Sequence, residues 1–144
     1  MKIILDINVL LVSIPKKSKY RLIFDLLMAG EYTLFISNDI LSEYTEMMEA
    51  KTNALVATNI AEMLLNLDNV KKIDIYYEWK LIHNDPDDNK YVDAAISSGA
   101  DFLISNDQHF KALSQTDFPK VNLLNIKEFL QLLNQQKERK KSDS

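Results

Sequence analysis

The stretch Phe102-Leu103-Ile104-Ser105 decides the fold, because it is a short apolar run that no charged residue interrupts. Such a run is typical of a strand buried on both faces in the middle of a parallel sheet. The run from Lys2 to Leu5 has the same character and ends directly at Asp6. Asp107 lies two residues after Ser105, the last residue of the stretch over 102–105. The sequence therefore predicts a parallel sheet with a carboxylate beyond the end of each of two buried strands.

Outward from these two strands, the chain alternates between strand-like and helix-like segments. Further strands are predicted over 32–36, 70–77 and 121–124. Apolar residues at helical spacing predict helices over 19–29, around 40–48, over 55–67, from Asp87 or Asp88 to Gly99, and over 126–133. Residues 7–9 are expected to lead from the first strand into a loop or first turn. This alternation predicts an α/β fold with a central, mostly parallel sheet of five strands flanked by helices.

The composition bounds the class of protein. The 144 residues fit one domain, which we place at 1–134, followed by a charged, disordered tail over 135–144. The chain has no cysteine, which excludes a disulfide scaffold, a thiolate zinc site and a cysteine nucleophile. No apolar run approaches the roughly 20 residues of a membrane span, and the first residues do not resemble a signal peptide. We therefore expect a cytoplasmic protein without membrane contact.

Four acidic residues fall where a parallel sheet collects its ligands, beyond the carboxyl ends of the strands. Asp6 closes the first strand, and Asp107 follows the strand over 102–105. Glu43 lies in the first turns of the helix after the second strand, and Asp88 lies at the start of the helix before the strand over 102–105. Clustered carboxylates repel one another unless cations neutralise them, and hard divalent cations prefer oxygen ligands. The pattern predicts that the four acids form one divalent-cation site.

Each acid taken alone also has a structural interpretation. Asp6, Asp88 and Asp107 could cap a turn or a helix, and Glu43 could be a solvated surface acid. The net charge of −4 also argues against a nucleic-acid binder, since such proteins are usually basic. That objection weakens if bound cations neutralise the acids. The joint pattern, rather than any single acid, carries the prediction.

Four segments together resemble the PIN-domain superfamily, most closely the VapC-like toxins of toxin–antitoxin systems. In order along the chain, the segments are Ile3 to Leu10, Ser37 to Tyr44, Asp85 to Ala95, and Ala100 to Asp107. In the family, the third acid usually precedes the glycine that closes its helix by about eleven residues. Counting back from Gly99 selects Asp88, while Asp85 and Asp87 remain open. The resemblance spans roughly residues 1–130.

The resemblance implies a PIN-like three-layer fold and a metal-dependent endoribonuclease that hydrolyses RNA with Mg²⁺ or Mn²⁺. It also implies a homodimer and a cognate antitoxin that covers the active site. By this resemblance, Asp6, Asp88 and Asp107 ligate the metal directly or through water, and Glu43 completes the site or orients the attacking water. The substrate-binding candidates are Asn8, Lys16, Lys17 and Ser105. Lys16 and Lys17 follow the Asp6 loop and could equally belong to a solvated loop.

Two rival functions stay open. An aspartyl-nucleophile phosphatase would use Asp6, but such families favour a second aspartate two residues later, where this chain has Asn8. A non-catalytic partner-binding domain would keep the fold without the chemistry. His83 and His109 lack a paired histidine at metal spacing and are not expected to be metal ligands. His109 lies two residues after Asp107 and is therefore a candidate for contact with the substrate.

Overall fold

A five-stranded sheet forms the centre of the computed structural model, which describes residues 1–83, 85–115, 117 and 119–142. The strands are β1 (Lys2–Leu5), β2 (Thr33–Ile36), β3 (Val70–Lys72), β4 (Phe102–Ile104) and β5 (Leu123–Leu124). Their order across the sheet is β3-β2-β1-β4-β5, and every pair of neighbours is parallel. The predicted α/β fold with a central parallel sheet flanked by helices is confirmed.

The two apolar runs that predicted the fold form the middle of this sheet. β1 pairs with β2 on one side and with β4 on the other, with Ile3 opposite Phe102 and Leu5 opposite Ile104. The side chains of Ile3, Ile4 and Leu5 are fully buried, as expected for a strand covered on both faces. The carboxyl ends of β1 and β4 therefore lie side by side at one edge of the sheet.

Helices connect the strands and cover the sheet. They are α1 (Ile7–Ser13), α2 (Arg21–Met28), α3 (Asn38–Lys51), α4 (Ala54–Asn66), α5 (Asn89–Ser98) and α6 (Ile126–Ser142), with 3₁₀ helices over Pro86–Asp88 and Gln108–Gln115. Gly99 ends α5 in the left-handed conformation, with φ at 64°, which confirms its predicted place at the end of that helix. None of the helices in the described part of the chain combines the length and hydropathy that crossing a bilayer requires.

One predicted strand is too long, and the segment after β1 begins a helix. Residues 7–9, predicted as a loop or first turn, form the first turn of helix α1, because the Asp6 side chain caps the helix and Ile7, Val9 and Leu10 pack into the core. β3 ends at Lys72 rather than at Tyr77, because β2, the strand with which it pairs, ends at Ile36. Beyond Lys72 the chain lies against α5, where the buried Asp93 carboxylate accepts a hydrogen bond from the backbone of Trp79 at 3.0 Å.

The last helix also differs from its predicted extent. α6 was expected to end at residue 133, with a disordered tail after it, but it continues to Ser142. The polar residues after Leu133 remain helical, and the Lys140 ammonium forms an ion pair with Glu31. Residues 143 and 144 of the predicted tail lie outside the described residues. The domain boundary at residue 134 stays a prediction.

Candidate functional site

The four predicted acids are brought to the edge of the sheet by four different elements. Asp6 caps α1 directly after β1, and Asp107 follows β4. Glu43 lies on α3, which follows β2, and Asp88 ends the 3₁₀ helix directly before α5. α5 ends at Gly99 just before β4, so it runs back along the sheet and its first turn lies at the carboxyl edge of the strands.

Ser105 connects two of the acids. Its hydroxyl donates a hydrogen bond to Oδ2 of Asp6 at 2.7 Å and accepts one from the backbone N–H of Asp107 at 3.0 Å. Oδ1 of Asp6 accepts a hydrogen bond from the backbone N–H of Asn8 at 3.2 Å. Ser105 and Asp6 are 2% and 4% exposed, so these bonds are shielded from water. The hydroxyl thus fixes the turn after β1 relative to the turn after β4.

Asp6 is a buried carboxylate in a field of like charge. Its burial raises its pKa above the ordinary value of 3.8, and the nearby charges of Glu43 and Asp107 raise it further. The hydrogen bonds from Ser105 and from the Asn8 backbone act in the opposite direction by stabilising the charged form. Two unit charges about 4 Å apart repel by roughly 4 kcal/mol at an effective dielectric near 20. A cation at this site would relieve that repulsion.

Asp88 lies in the same electrostatic field. Partial burial raises its pKa from 3.8 to about 6, and the charges of Asp107, Asp85 and Asp6 add to the rise. Asp85 and Asp87 were the other candidates for the third acid. The Asp87 side chain is exposed, whereas the Asp88 side chain is only 13% exposed. The geometry therefore favours Asp88 over Asp87.

His109 lies among these acids. Its Nδ1 is 3.3 Å from Oδ2 of Asp88, 3.2 Å from Oδ1 of Asp107 and 3.9 Å from Oδ2 of Asp85. Ligand atoms of Asp85, Asp88 and His109 lie within 4.8 Å of one another, close enough for one metal ion. This placement was not expected from the sequence, which argued against a histidine ligand.

Glu43 is held by two residues of α5. The Lys90 ammonium lies 2.7 Å from Oε2 of Glu43, and the Tyr91 hydroxyl donates a hydrogen bond to Oε1. The same hydroxyl accepts a hydrogen bond from the backbone N–H of Ile7 at 3.1 Å. Tyr91 is buried, and burial together with the neighbouring tyrosine and carboxylates raises its pKa far above the ordinary value. Tyr91 therefore stays protonated and ties Glu43 to the turn that carries Asp6.

The remaining substrate-binding candidates lie at or beyond the rim. Asn8 is exposed and lines a cleft of about 330 Å³ together with Asp6 and Asp107. Lys16 and Lys17 are exposed in the segment between α1 and α2. Neither lysine forms an ion pair with an acid in the described part of the chain. A larger cleft of about 850 Å³ runs past Glu43 and Lys90, and acidic side chains predominate along it.

The residues at this edge fit a hard divalent cation such as Mg²⁺ or Mn²⁺. Asp6, Asp88 and Asp107 offer carboxylate oxygens, the donors that these ions prefer. Within the described ranges, no residue donates a hydrogen bond to Oδ1 of Asp88 or to Oδ2 of Asp107. The oxygens of Asp6 each accept one hydrogen bond and retain a further lone pair.

Three contacts of the site could not be found from sequence spacing. Glu43 is separated in sequence from Lys90 by 47 positions and from Tyr91 by 48 positions. His109 meets Asp88 across 21 positions, because the 3₁₀ helix after β4 turns its side chain back over the site. The only sequence signal for His109 was its position two residues after Asp107.

Comparison with known proteins gives two kinds of match. A family model described as PIN domain matches residues 2–109 of the chain. The chain is similar to one in VapBC2 from Rickettsia felis bound to a DNA fragment from the promoter, with a TM-score of 0.61, 20% identity, and coverage of 87% of this chain and 98% of that one. It is also similar to one in DNA-bound VapBC from Salmonella typhimurium, with a TM-score of 0.55, 17% identity, and coverage of 88% and 98%. At these identities the structural likeness shows the fold. No curated protein matches the chain.

Proposed function

This chain belongs to the PIN domain family, and we propose that it is a divalent-metal-dependent endoribonuclease that hydrolyses RNA phosphodiester bonds. The observation that carries the proposal is the convergence of Asp6, Glu43, Asp88 and Asp107 from four elements onto one edge of the sheet. Burial raises the pKa values of Asp6 and Asp88 above 3.8, and the charges of neighbouring acids raise them further. Such a cluster is costly without a cation, and it suits metal-assisted hydrolysis.

In the proposed site, Asp6, Asp88 and Asp107 hold one Mg²⁺ or Mn²⁺. A bound divalent cation supplies positive charge that orients the phosphodiester and stabilises the charge that develops in the transition state. Ser105 positions Asp6 and Asp107 through its two hydrogen bonds. The carboxylate of Glu43 accepts a hydrogen bond from the attacking water and orients it. Each Glu43 oxygen has a lone pair for this purpose beyond the bonds to Lys90 and Tyr91.

RNA is the proposed substrate although the chain is acidic. The net charge of −4 includes the acids of the site, and bound cations offset part of that charge. Asn8 lies on the wall of the cleft beside Asp6 and Asp107, where a phosphate would approach. Lys16 and Lys17 follow α1 on the exposed surface, and we assign them to contacts with RNA phosphates farther along the strand.

We further propose that the chain is the toxin of a toxin–antitoxin pair and acts as a homodimer that a cognate antitoxin inhibits. Two similar chains come from DNA-bound VapBC assemblies of known structure, one from Rickettsia felis and one from Salmonella typhimurium. The shared fold covers most of the present chain in both cases. Purification of the chain together with the product of an adjacent small gene, followed by loss of RNA cleavage in the complex, tests this part of the proposal.

Cleavage of a fluorescent single-stranded RNA tests the activity itself. The wild type should cleave with Mg²⁺ or Mn²⁺ and stop when EDTA is added. Asp6→Asn and Asp88→Asn should lose at least a hundredfold in rate, while Asp25→Asn, an exposed acid on α2, should match the wild type. Unchanged cleavage in both site variants contradicts the proposal. Phosphate release from a small ester without RNA cleavage would favour the phosphatase, and the absence of metal binding would favour a binding domain.

A further inference from the structure

The Lys90 ammonium lies 2.7 Å from Oε2 of Glu43, the fourth acid of the candidate site. We infer that this ammonium acts as a built-in counter-ion for Glu43, so that the site takes one divalent ion, held by Asp6, Asp88 and Asp107, and Glu43 is not a metal ligand. This inference rests on the proposed function, because it divides the four acids of the proposed metal site into two groups. It makes Lys90 a positioning residue that acts through Glu43.

Each carboxylate oxygen of Glu43 already has a partner on α5. The Lys90 ammonium lies 2.7 Å from Oε2, and the Tyr91 hydroxyl donates to Oε1. The side chains of Lys90 and Glu43 are 18% and 23% exposed, so water screens the pair only in part. Tyr91 is itself fixed by the backbone N–H of Ile7. A metal ion on a Glu43 oxygen would share that oxygen with Lys90 or Tyr91 and would be repelled by the Lys90 ammonium.

Electrostatics also argues against a second ion at Glu43. In sites with two metals, the ions lie about 3.5–4 Å apart and share the surrounding carboxylates. A second ion on Glu43 would lie next to the Lys90 ammonium as well as next to the first ion. With Lys90 in place, one of the four acids is already neutralised. The other three acids suffice for an ion such as Mg²⁺, which uses few carboxylates and keeps several waters.

The position of Lys90 in its helix supports a specific role. Lys90 is the second residue of α5, where the partial positive charge of the helix N-terminus disfavours a cation. The Glu43 carboxylate at 2.7 Å compensates for this unfavourable location. The same turn of α5 thus carries a proposed metal ligand, Asp88, and the cation for the fourth acid.

Mn²⁺ titration of the full chain, followed by calorimetry and by electron paramagnetic resonance, tests the inference without using activity. The wild type should bind one Mn²⁺ per chain. Glu43→Gln leaves the ammonium without its partner and should weaken Mn²⁺ binding about tenfold by charge repulsion. Lys90→Met frees the carboxylate and should tighten binding or admit a second Mn²⁺. The double variant removes a neutral pair and should return to within about threefold of the wild type.

Lys80→Met is the matched control, because Lys80 lines the same large cleft, whereas the ion pair with Glu43 in the described part of the chain is formed by Lys90. It should leave the Mn²⁺ affinity and stoichiometry unchanged. Two Mn²⁺ per wild-type chain would overturn the inference while leaving the proposed metal-dependent function intact. A double variant as weak as Glu43→Gln would also overturn it, because Glu43 would then be a ligand. No Mn²⁺ binding by the wild type would instead reject the proposed function. The wild-type stoichiometry decides the matter even if Lys90→Met fails to fold.

Discussion

Replacing Asp88 by asparagine should make the metal-free protein more stable and abolish its stabilisation by metal. The pKa of Asp88 is raised from 3.8 to about 6, because the folded protein buries the carboxyl and surrounds it with other acids. A folded-state pKa above the unfolded value means that ionisation costs stability. That cost is absent below pH 4, grows as the pH rises to about 6 and is complete at pH 7.

The size of the effect follows from the pKa difference. Each pKa unit corresponds to about 1.4 kcal/mol, so the step from 3.8 to about 6 corresponds to about 3 kcal/mol. Solvent screening at the rim of the site and the weaker hydrogen bond of a neutral side chain to His109 reduce this gain. We expect Asp88→Asn to raise the free energy of unfolding by about 1–2 kcal/mol at pH 7, or the melting temperature by roughly 3–8 °C.

Thermal melts in EDTA and in Mg²⁺ at pH 7 and pH 5 form the assay. At a metal concentration one hundred times Kd, the wild type should gain about 2.7 kcal/mol, whereas Asp88→Asn should gain almost nothing. The advantage of the variant in EDTA should shrink at pH 5. Asp87→Asn, which alters the exposed neighbouring acid, should stay within about 0.5 kcal/mol of the wild type. A variant that is less stable than the wild type in EDTA at pH 7 would refute the reasoning.

Three further predictions concern the contacts around this site. Tyr91→Phe leaves the backbone N–H of Ile7 without its acceptor. The free energy of unfolding, measured in urea, should therefore fall by about 1–3 kcal/mol. Tyr76→Phe, at a residue that is 90% exposed, should leave the free energy of unfolding unchanged. Ser105→Ala removes the hydrogen bond to Asp6 and should weaken Mn²⁺ binding about tenfold in calorimetry. Ser105→Thr keeps a hydroxyl and should bind Mn²⁺ as the wild type does. Equal Mn²⁺ affinities of the two variants would contradict the role of the hydroxyl. Lowering the pH from 7 to 5 protonates Asp88, whose pKa is about 6, and should weaken Mn²⁺ binding about tenfold; a Kd independent of pH would contradict the assignment of Asp88 as a ligand.

The parts of the site that follow strands could be predicted from the sequence. Asp6 and Asp107 come after buried apolar runs, and parallel strands end at one edge of a sheet, so their placement at the same edge could be predicted. Their close approach depends on the pairing of β1 with β4, which the structure shows. Ser105 connects them because it is the last residue of the run over 102–105, directly before the turn that carries Asp107. Counting back from Gly99 selected Asp88 as the third acid, and this choice stays a prediction, since Asp85 and Asp88 both lie beside His109.

The parts that depend on side chains meeting across the fold could not be predicted. Lys90 reaches Glu43 because α5 packs beside α3, and no spacing along the chain encodes that packing. His109 reaches Asp88 because a 3₁₀ helix follows β4, where local patterns are weak. β3 stops at Lys72 because its partner strand ends, although the residues beyond it have a strand-like sequence. α6 continues past residue 133 because its polar residues are good helix formers, even though they lack an apolar face.

The most direct test of the central claim is a crystal structure of the chain with Mn²⁺, examined by anomalous diffraction. We expect one strong anomalous peak at the edge of the sheet, within about 2.0–2.6 Å of oxygens from at least two of Asp6, Asp88 and Asp107. Glu43 should remain paired with Lys90. A peak held by Asp85 and His109 without Asp6 or Asp107, or no peak at saturating Mn²⁺, would contradict the account.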